Sequence, residues 1–108
     1  MDCLFCKIIN QEIPAAIQYE DEDIIAFNDI SPKAPVHLLI LPKKHIATLN
    51  DVTEEDIDLV GKLVKKASDL AAKFDIDQSG YRTIFNCNAD GGQEVYHIHL
   101  HLLGGKKL

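Results

Sequence analysis

The sequence predicts an α+β fold, a five-stranded antiparallel sheet with one long helix and a short N-terminal helix. Three observations point there. One long stretch, residues 53–74, repeats apolar side chains at helical spacing. The remaining apolar runs have the length of strands. Their connections are of hairpin length, which favours antiparallel pairing over parallel crossovers. The helices are expected to cover one face of the sheet.

Each element has its own signal. Residues 4–10, LFCKIIN, form a short helical segment. Ile17 to Glu20 and Asp23 to Asn28 are two strands separated by the acidic turn Asp21-Glu22. Ser31-Pro32-Lys33-Ala34-Pro35 is a stiff loop, because each proline fixes φ and restricts the residue before it. Val36 to Leu41 is a buried strand closed by Pro42. Thr53 caps the long helix, with Glu54, Glu55 and Asp56 in its first turn where the helix dipole favours acid. Ile57, Val60, Val64, Ala67, Ala71 and Phe74 form its apolar stripe, widened by Leu63 and Leu70. A strand follows Gly80, from Tyr81 to Asn88, then a turn at Ala89-Asp90-Gly91-Gly92, then a last strand from Val95 to Leu103.

With 108 residues, 46% of them apolar, the chain is expected to be one domain spanning 1–108 with a modest core. Seventeen acidic against eleven basic residues give a net charge of −6. That balance argues against nucleic-acid and membrane-surface partners, which need a positive footprint, but not against a small anionic ligand. No apolar run has transmembrane length, and MDCLFCKII lacks the basic start of a signal peptide. A soluble cytoplasmic protein is expected. Three cysteines make a poor disulfide framework, so Cys3-x-x-Cys6 reads as half a metal site or a redox pair. A sheet covered by one long helix leaves spare surface, which allows a homodimer.

Three of the five histidines occur as His97-Ile98-His99-Leu100-His101. On a strand the three imidazoles share one side while Ile98, Leu100 and Leu102 face the long helix. Such a row makes an expensive core surface. It is either a metal site or a nucleophilic imidazole oriented by its neighbours. His99, with a polar neighbour on each side, is the natural nucleophile. Gly91-Gly92 just before the strand could bring backbone N–H groups to a phosphate. Asn86 and Asn88 alternate in the preceding strand towards the histidine face, while Cys87 alternates into the core.

His97-x-His99-x-His101-Leu-Leu resembles the signature of the histidine triad (HIT) family. Gly91-Gly92-Gln93, Asn86, the run Phe27-Asn28-Asp29-Ile30-Ser31-Pro32, Pro35-Val36-His37 and Pro42-Lys43-Lys44-His45 match the same family. The similarity covers nearly the whole chain and is nearest to the Hint branch of nucleotide-binding hydrolases. It implies a homodimer and a purine nucleotide site that splits P–N or P–O bonds at the α-phosphate, through a nucleotidyl intermediate on His99. It also implies that His101 bonds the phosphate region and that Gly92, Gln93 and Glu94 form the loop beside it. By the same resemblance Asp29 holds the ribose, Ile30 and the strand before it line the base pocket, Asn86 contacts the nucleotide, and His37 supports the site. On the pattern of family members with a Cys-x-x-Cys zinc site, Cys3, Cys6, His45 and His97 would hold one structural zinc ion. Glu94 departs from the pattern, which places a small hydroxyl residue there, and the long C-terminal tail of many relatives is missing. The resemblance predicts a nucleoside phosphoramidate hydrolase. A dinucleoside polyphosphate hydrolase and a zinc- and nucleotide-binding module with little activity are the alternatives.

Overall fold

Seven principal elements follow one another in the computed structural model, which describes residues 3–108. They are α1 (Leu4–Ile9), β1 (Ile17–Glu20), β2 (Ile24–Asn28), β3 (Val36–Pro42), α2 (Ile57–Lys73), β4 (Tyr81–Phe85) and β5 (Leu100–Gly104). The strands form one sheet in the order β1-β2-β3-β5-β4, every neighbouring pair antiparallel. Asp21 shapes the β1–β2 hairpin: its Oδ1 accepts the N–H groups of Asp23 and Ile24 at 2.8 and 2.9 Å.

The central strands are apolar on both sides. Ile24, Ala26, Leu38, Ile40, Leu100 and Leu102 face α2, where they meet Leu63, Ala67, Leu70 and Ala71. Ile25, Phe27, Leu39 and Leu41 point the other way and are covered by Phe5 and Ile8 of α1. The helices therefore lie on opposite faces, not on one as expected. A strand that reads as a continuous apolar run needs cover on both sides, and the short helix supplies the second.

α2 begins later than predicted, at Ile57 with Asp56 at its N-cap, and Thr53 caps the 3₁₀ turn before it instead. Thr53 donates its N–H and its hydroxyl to Asp56 Oδ2 at 3.0 and 3.2 Å, across a 3₁₀ turn at Glu54–Asp56. Its buried face is rotated from the expected stripe, since Ile57 and Val64 are 59% and 52% exposed. The helix stops where Asp75 takes φ +58°, and Ile76 N–H closes back on Ala71 O at 2.9 Å. Ile76 then seats against Gly104, where any Cβ would lie 2.6 Å from its Cδ1.

Both strands around the histidines are shorter than the sequence suggested. β4 ends at Phe85 and β5 starts at Leu100, so Asn86, Asn88, His97 and His99 are on connecting chain. Asn88, at φ +61°, turns the chain into a 3₁₀ turn at Ala89–Gly91. Cys87 is half-buried and belongs to neither apolar cluster, which corrects its reading as a core residue. Among the described residues, no helix is long and apolar enough to cross a membrane.

Candidate active site

The two-residue alternation outlives the strand. Ile98 N–H donates to Ile46 O at 2.8 Å, which ties residues 97–99 to the chain after β3 without a ladder. Ile98 therefore enters the α2 core while His97 and His99 face α1. The expected common side for the three histidines holds, although only His101 stands on β5.

His97 is fully buried and held from both ring nitrogens. Its Nε2–H donates to Pro42 O at 2.7 Å, which leaves the Nδ1 lone pair facing Cys3 Sγ (3.7 Å), Cys6 Sγ (3.6 Å) and His45 Nδ1 (3.2 Å). Cys6 Sγ lies 3.4 Å from His45 Nδ1. On a tetrahedral ion with bonds of about 2.05 Å to nitrogen and about 2.3 Å to sulfur, ligand atoms sit roughly 3.3–3.8 Å apart. Four of the six ligand pairs stand at 3.2–3.7 Å and all lie within 4.8 Å, which fits a metal ion, with Pro42 O orienting one ligand from outside.

His99 is nearly buried, and its Nδ1–H donates to His97 O at 2.7 Å. That bond fixes the tautomer and leaves the Nε2 lone pair free. Next to it the Lys33 N–H donates to His37 Nδ1 at 3.1 Å, so the proton of His37 is on Nε2. His37 Nε2–H in turn donates to His101 Nδ1 at 2.9 Å, which puts the proton of His101 on Nε2 as a donor. Asp29 Oδ2 lies 3.4 Å from His37 Nε2, and Asp29 Oδ1 accepts the Ser31 N–H at 2.8 Å. Asp29, His37 and His101 are also close enough to hold an ion. The direction of the His37–His101 hydrogen bond argues against one, since that facing nitrogen pair already shares a proton.

Burial lowers the pKa of His37, His99 and His101, the last to about 4, with His99 and His37 beside it adding to the effect. All three are neutral imidazoles near neutral pH.

These groups open on a cavity of about 500 Å³. Asp29, Ile30 and His37 line it from the β2–β3 side, and Asn86, Gly92 and Glu94 from the loop after β4. His99 and His101 stand in its wall. Leu4, Phe5 and Ile8 of α1, with Phe27, make an apolar end that the sequence reading did not foresee. Their spacing beside the Cys-x-x-Cys motif was the available signal. Gln93 does not line the cavity. Its buried side chain accepts the Asn88 N–H at 2.8 Å and donates to Ala47 O (2.8 Å) and Val95 O (3.1 Å), pinning the loop from behind. The N–H groups of Gly91, Gly92 and Gln93 are spent on the Asn88 and Ala89 carbonyls at 3.0–3.1 Å. The two glycines thus shape the turn rather than present a pair of N–H groups to an anion.

A family model described as scavenger mRNA decapping enzyme C-terminal binding matches residues 2–107. The crystal structure of a HIT family hydrolase from Legionella pneumophila Philadelphia 1 superposes with a TM-score of 0.97 at 57% identity, over 98% of this chain and 95% of that one. The chain belongs to the histidine triad family. A histidine triad protein from Clostridium difficile superposes with a TM-score of 0.96 at 49% identity, covering 100% of this chain and 94% of that one. The purine nucleoside phosphoramidase of Escherichia coli K12 is 50% identical over 107 residues, 99% of this chain and 90% of its own length. His97-x-His99-x-His101 matches the triad motif of that family, with His97 turned to Cys3, Cys6 and His45 and the other two histidines to the cavity.

Proposed function

We propose that this protein is a purine nucleoside phosphoramidate hydrolase, a single HIT domain over residues 1–108. The observation that carries the reading is the His97 O···Nδ1 bond of His99, which leaves one unprotonated nitrogen in the wall of a nucleotide-sized cavity. The relatives named purine nucleoside phosphoramidase support the substrate class. His99 Nε2 attacks the α-phosphorus, the N–P bond forms and the P–N bond to the leaving amine breaks. The amine nitrogen takes the electron pair and a proton from water. A second water then attacks phosphorus, releases the nucleoside monophosphate and returns His99 to its starting state. His101 Nε2–H bonds a phosphate oxygen, Asp29 holds the ribose hydroxyls, and Asn86, Gly92 and Glu94 border the phosphate. Gln93 acts by holding that loop, and His37 by fixing the tautomer of His101. Leu4, Phe5, Ile8, Phe27 and Ile30 enclose the base.

Dinucleoside polyphosphates are a poorer fit. The cavity wall carries Asp29 and Glu94 against one cation, Lys33, and its imidazoles are neutral, so a chain of phosphates meets little positive charge. Cys3, Cys6, His45 and His97 hold zinc, which two thiolates and two imidazoles suit. A four-ligand site of that kind is closed to water, so the ion supplies structure. The three free cysteines agree with a reducing, cytoplasmic setting. The protein works as a homodimer and binds neither nucleic acid nor membrane.

Mass spectrometry after brief mixing with an adenosine phosphoramidate is expected to find a nucleotidyl adduct on the peptide carrying His99. His99→Ala should abolish the adduct and lower turnover by about 10⁴-fold or more, with metal content and nucleotide affinity retained. An adduct elsewhere, or loss of metal from His99→Ala, would overturn the assignment.

A further inference from the structure

α1 is six residues long, too short to persist by itself. Its N-cap is Cys3, whose Sγ accepts the Cys6 N–H at 3.4 Å. Both thiols also reach His97 Nδ1, at 3.7 and 3.6 Å, so the first turn of the helix is part of the metal-binding group. Between these two cysteines stands Phe5, which is buried at 5% exposure. Its ring meets the ring of His99 edge-on, with centroids 5.0 Å apart and planes at 86°. It meets Phe27 in the same manner at 5.5 Å and 77°.

That contact bears on a soft coordinate. The last torsion of histidine is broad, so the imidazole can tilt or turn over at little cost. The His97 carbonyl selects which nitrogen carries the proton, but one hydrogen bond still lets the ring swing about it. An edge-on aromatic neighbour at van der Waals range closes that freedom. The His101 ring, with its centroid also 5.0 Å away, restricts it further.

We propose that Phe5 is a positioning residue for His99, and that the Cys3, Cys6, His45 and His97 group sets the placement of Phe5 by anchoring α1. The inference rests on the reading of His99 as nucleophile and adds a second route from the metal-binding group to it, beside the His97 carbonyl. Phe5 also lines the cavity, so its loss should separate two effects: weaker binding from the missing apolar wall, and slower chemistry from the loosened ring.

The test uses the full chain with Zn(II) added, then stripped by a chelator, and the variants Phe5→Leu and Phe5→Ala. Nitrogen–proton couplings of the His99 imidazole report its tautomer, amide exchange over residues 4–9 reports α1, and single-turnover mixing reports adduct formation. The parent with Zn(II) is expected to show one Nδ1–H signature. Phe5→Leu keeps most of the volume, so KM should change less than about threefold while adduct formation slows about tenfold. Phe5→Ala should show both a raised KM and averaged tautomer signals. Chelation should speed α1 exchange about tenfold or more and average the His99 signals, and Zn(II) should restore both. The proposal is overturned if Phe5→Leu keeps the parental adduct rate, or if chelation leaves α1 exchange and the His99 signature unchanged. Failure of the nucleophile reading is seen separately, as a parent without an adduct on His99.

Discussion

Among the residues of the cavity, His101 carries the clearest consequence of burial. Its imidazole is enclosed near His99 and His37, with Lys33 opposing and Asp29 favouring a proton, and its pKa falls from 6.5 to about 4. The unfolded chain therefore takes up this proton before the folded one does. Stability from this group is complete above about 6.5 and is lost as pH falls toward 4. Urea midpoints should decline over that window, and more steeply for the parent than for His101→Asn; parallel curves would exclude His101 as the cause. Glu94 gives a second prediction, since its carboxylate borders the cavity without an ion-pair partner among the described residues. Glu94→Ser should raise turnover of a dinucleoside polyphosphate relative to a phosphoramidate by about tenfold, because one repulsive charge is gone. An unchanged ratio across pH would remove Glu94 from leaving-group selection. The reading of His99 needed only local spacing and a polar neighbour on each side. Cys3 and His97 are 94 positions apart, so their convergence was available only through resemblance to a family. Gln93 shows a different limit, because spacing places a residue in a loop without telling whether its side chain faces the cavity or braces the loop from behind.

At the scale of elements, the start of α2 depends on Thr53, which donates its N–H and its hydroxyl to Asp56 across the 3₁₀ turn that leads into the helix. Asp56 is 3% exposed and also accepts from Lys44 Nζ at 2.6 Å, so its carboxylate is tied down on two sides. Thr53→Ala is expected to cost about 1 kcal/mol and to lower Tm by roughly 4–8 °C, while Thr53→Ser stays near the parent. Equal melting of all three would show that the cap does not limit the helix. The helix itself was legible from its period, but the buried face was not. Apolar residues occupy more than half of its circumference, and only the sheet decides that Leu63 and Leu70 go inside while Ile57 and Val64 remain outside. The ends of β4 and β5 were overextended for a related reason. Asn86 to Asn88 and Val95 to His99 have extended-looking patterns, but positive φ at Asn88 and the bonds of Gln93 turn the chain away from the ladder.

For the whole molecule, the sheet order leaves β4 at an edge, paired with β5 on one side only among the described residues. Its first three residues, Tyr81, Arg82 and Thr83, are exposed, and an open edge of this kind readily pairs with another strand. Ile57 and Val64, seven positions apart and so on one face of α2, add two exposed β-branched side chains. A second copy of the chain would cover both features by a two-fold contact, in which the same patch serves each partner. The part of the cavity wall that this chain supplies comes from α1, the β2–β3 connection, the loop after β4, and β5, and includes neither Ile57 nor Val64. Assembly and chemistry are expected to separate, and this can be tested. Sedimentation velocity is expected to show a dimer for the parent, and a monomer for the double variant Ile57→Glu, Val64→Glu. Because neither residue touches the cavity, the monomer should still form the adduct on His99 within about tenfold of the parental rate. A parent that sediments as a monomer would reject the dimer. A monomeric variant that forms no adduct, while its circular dichroism and metal content match the parent, would show that the cavity needs the partner after all.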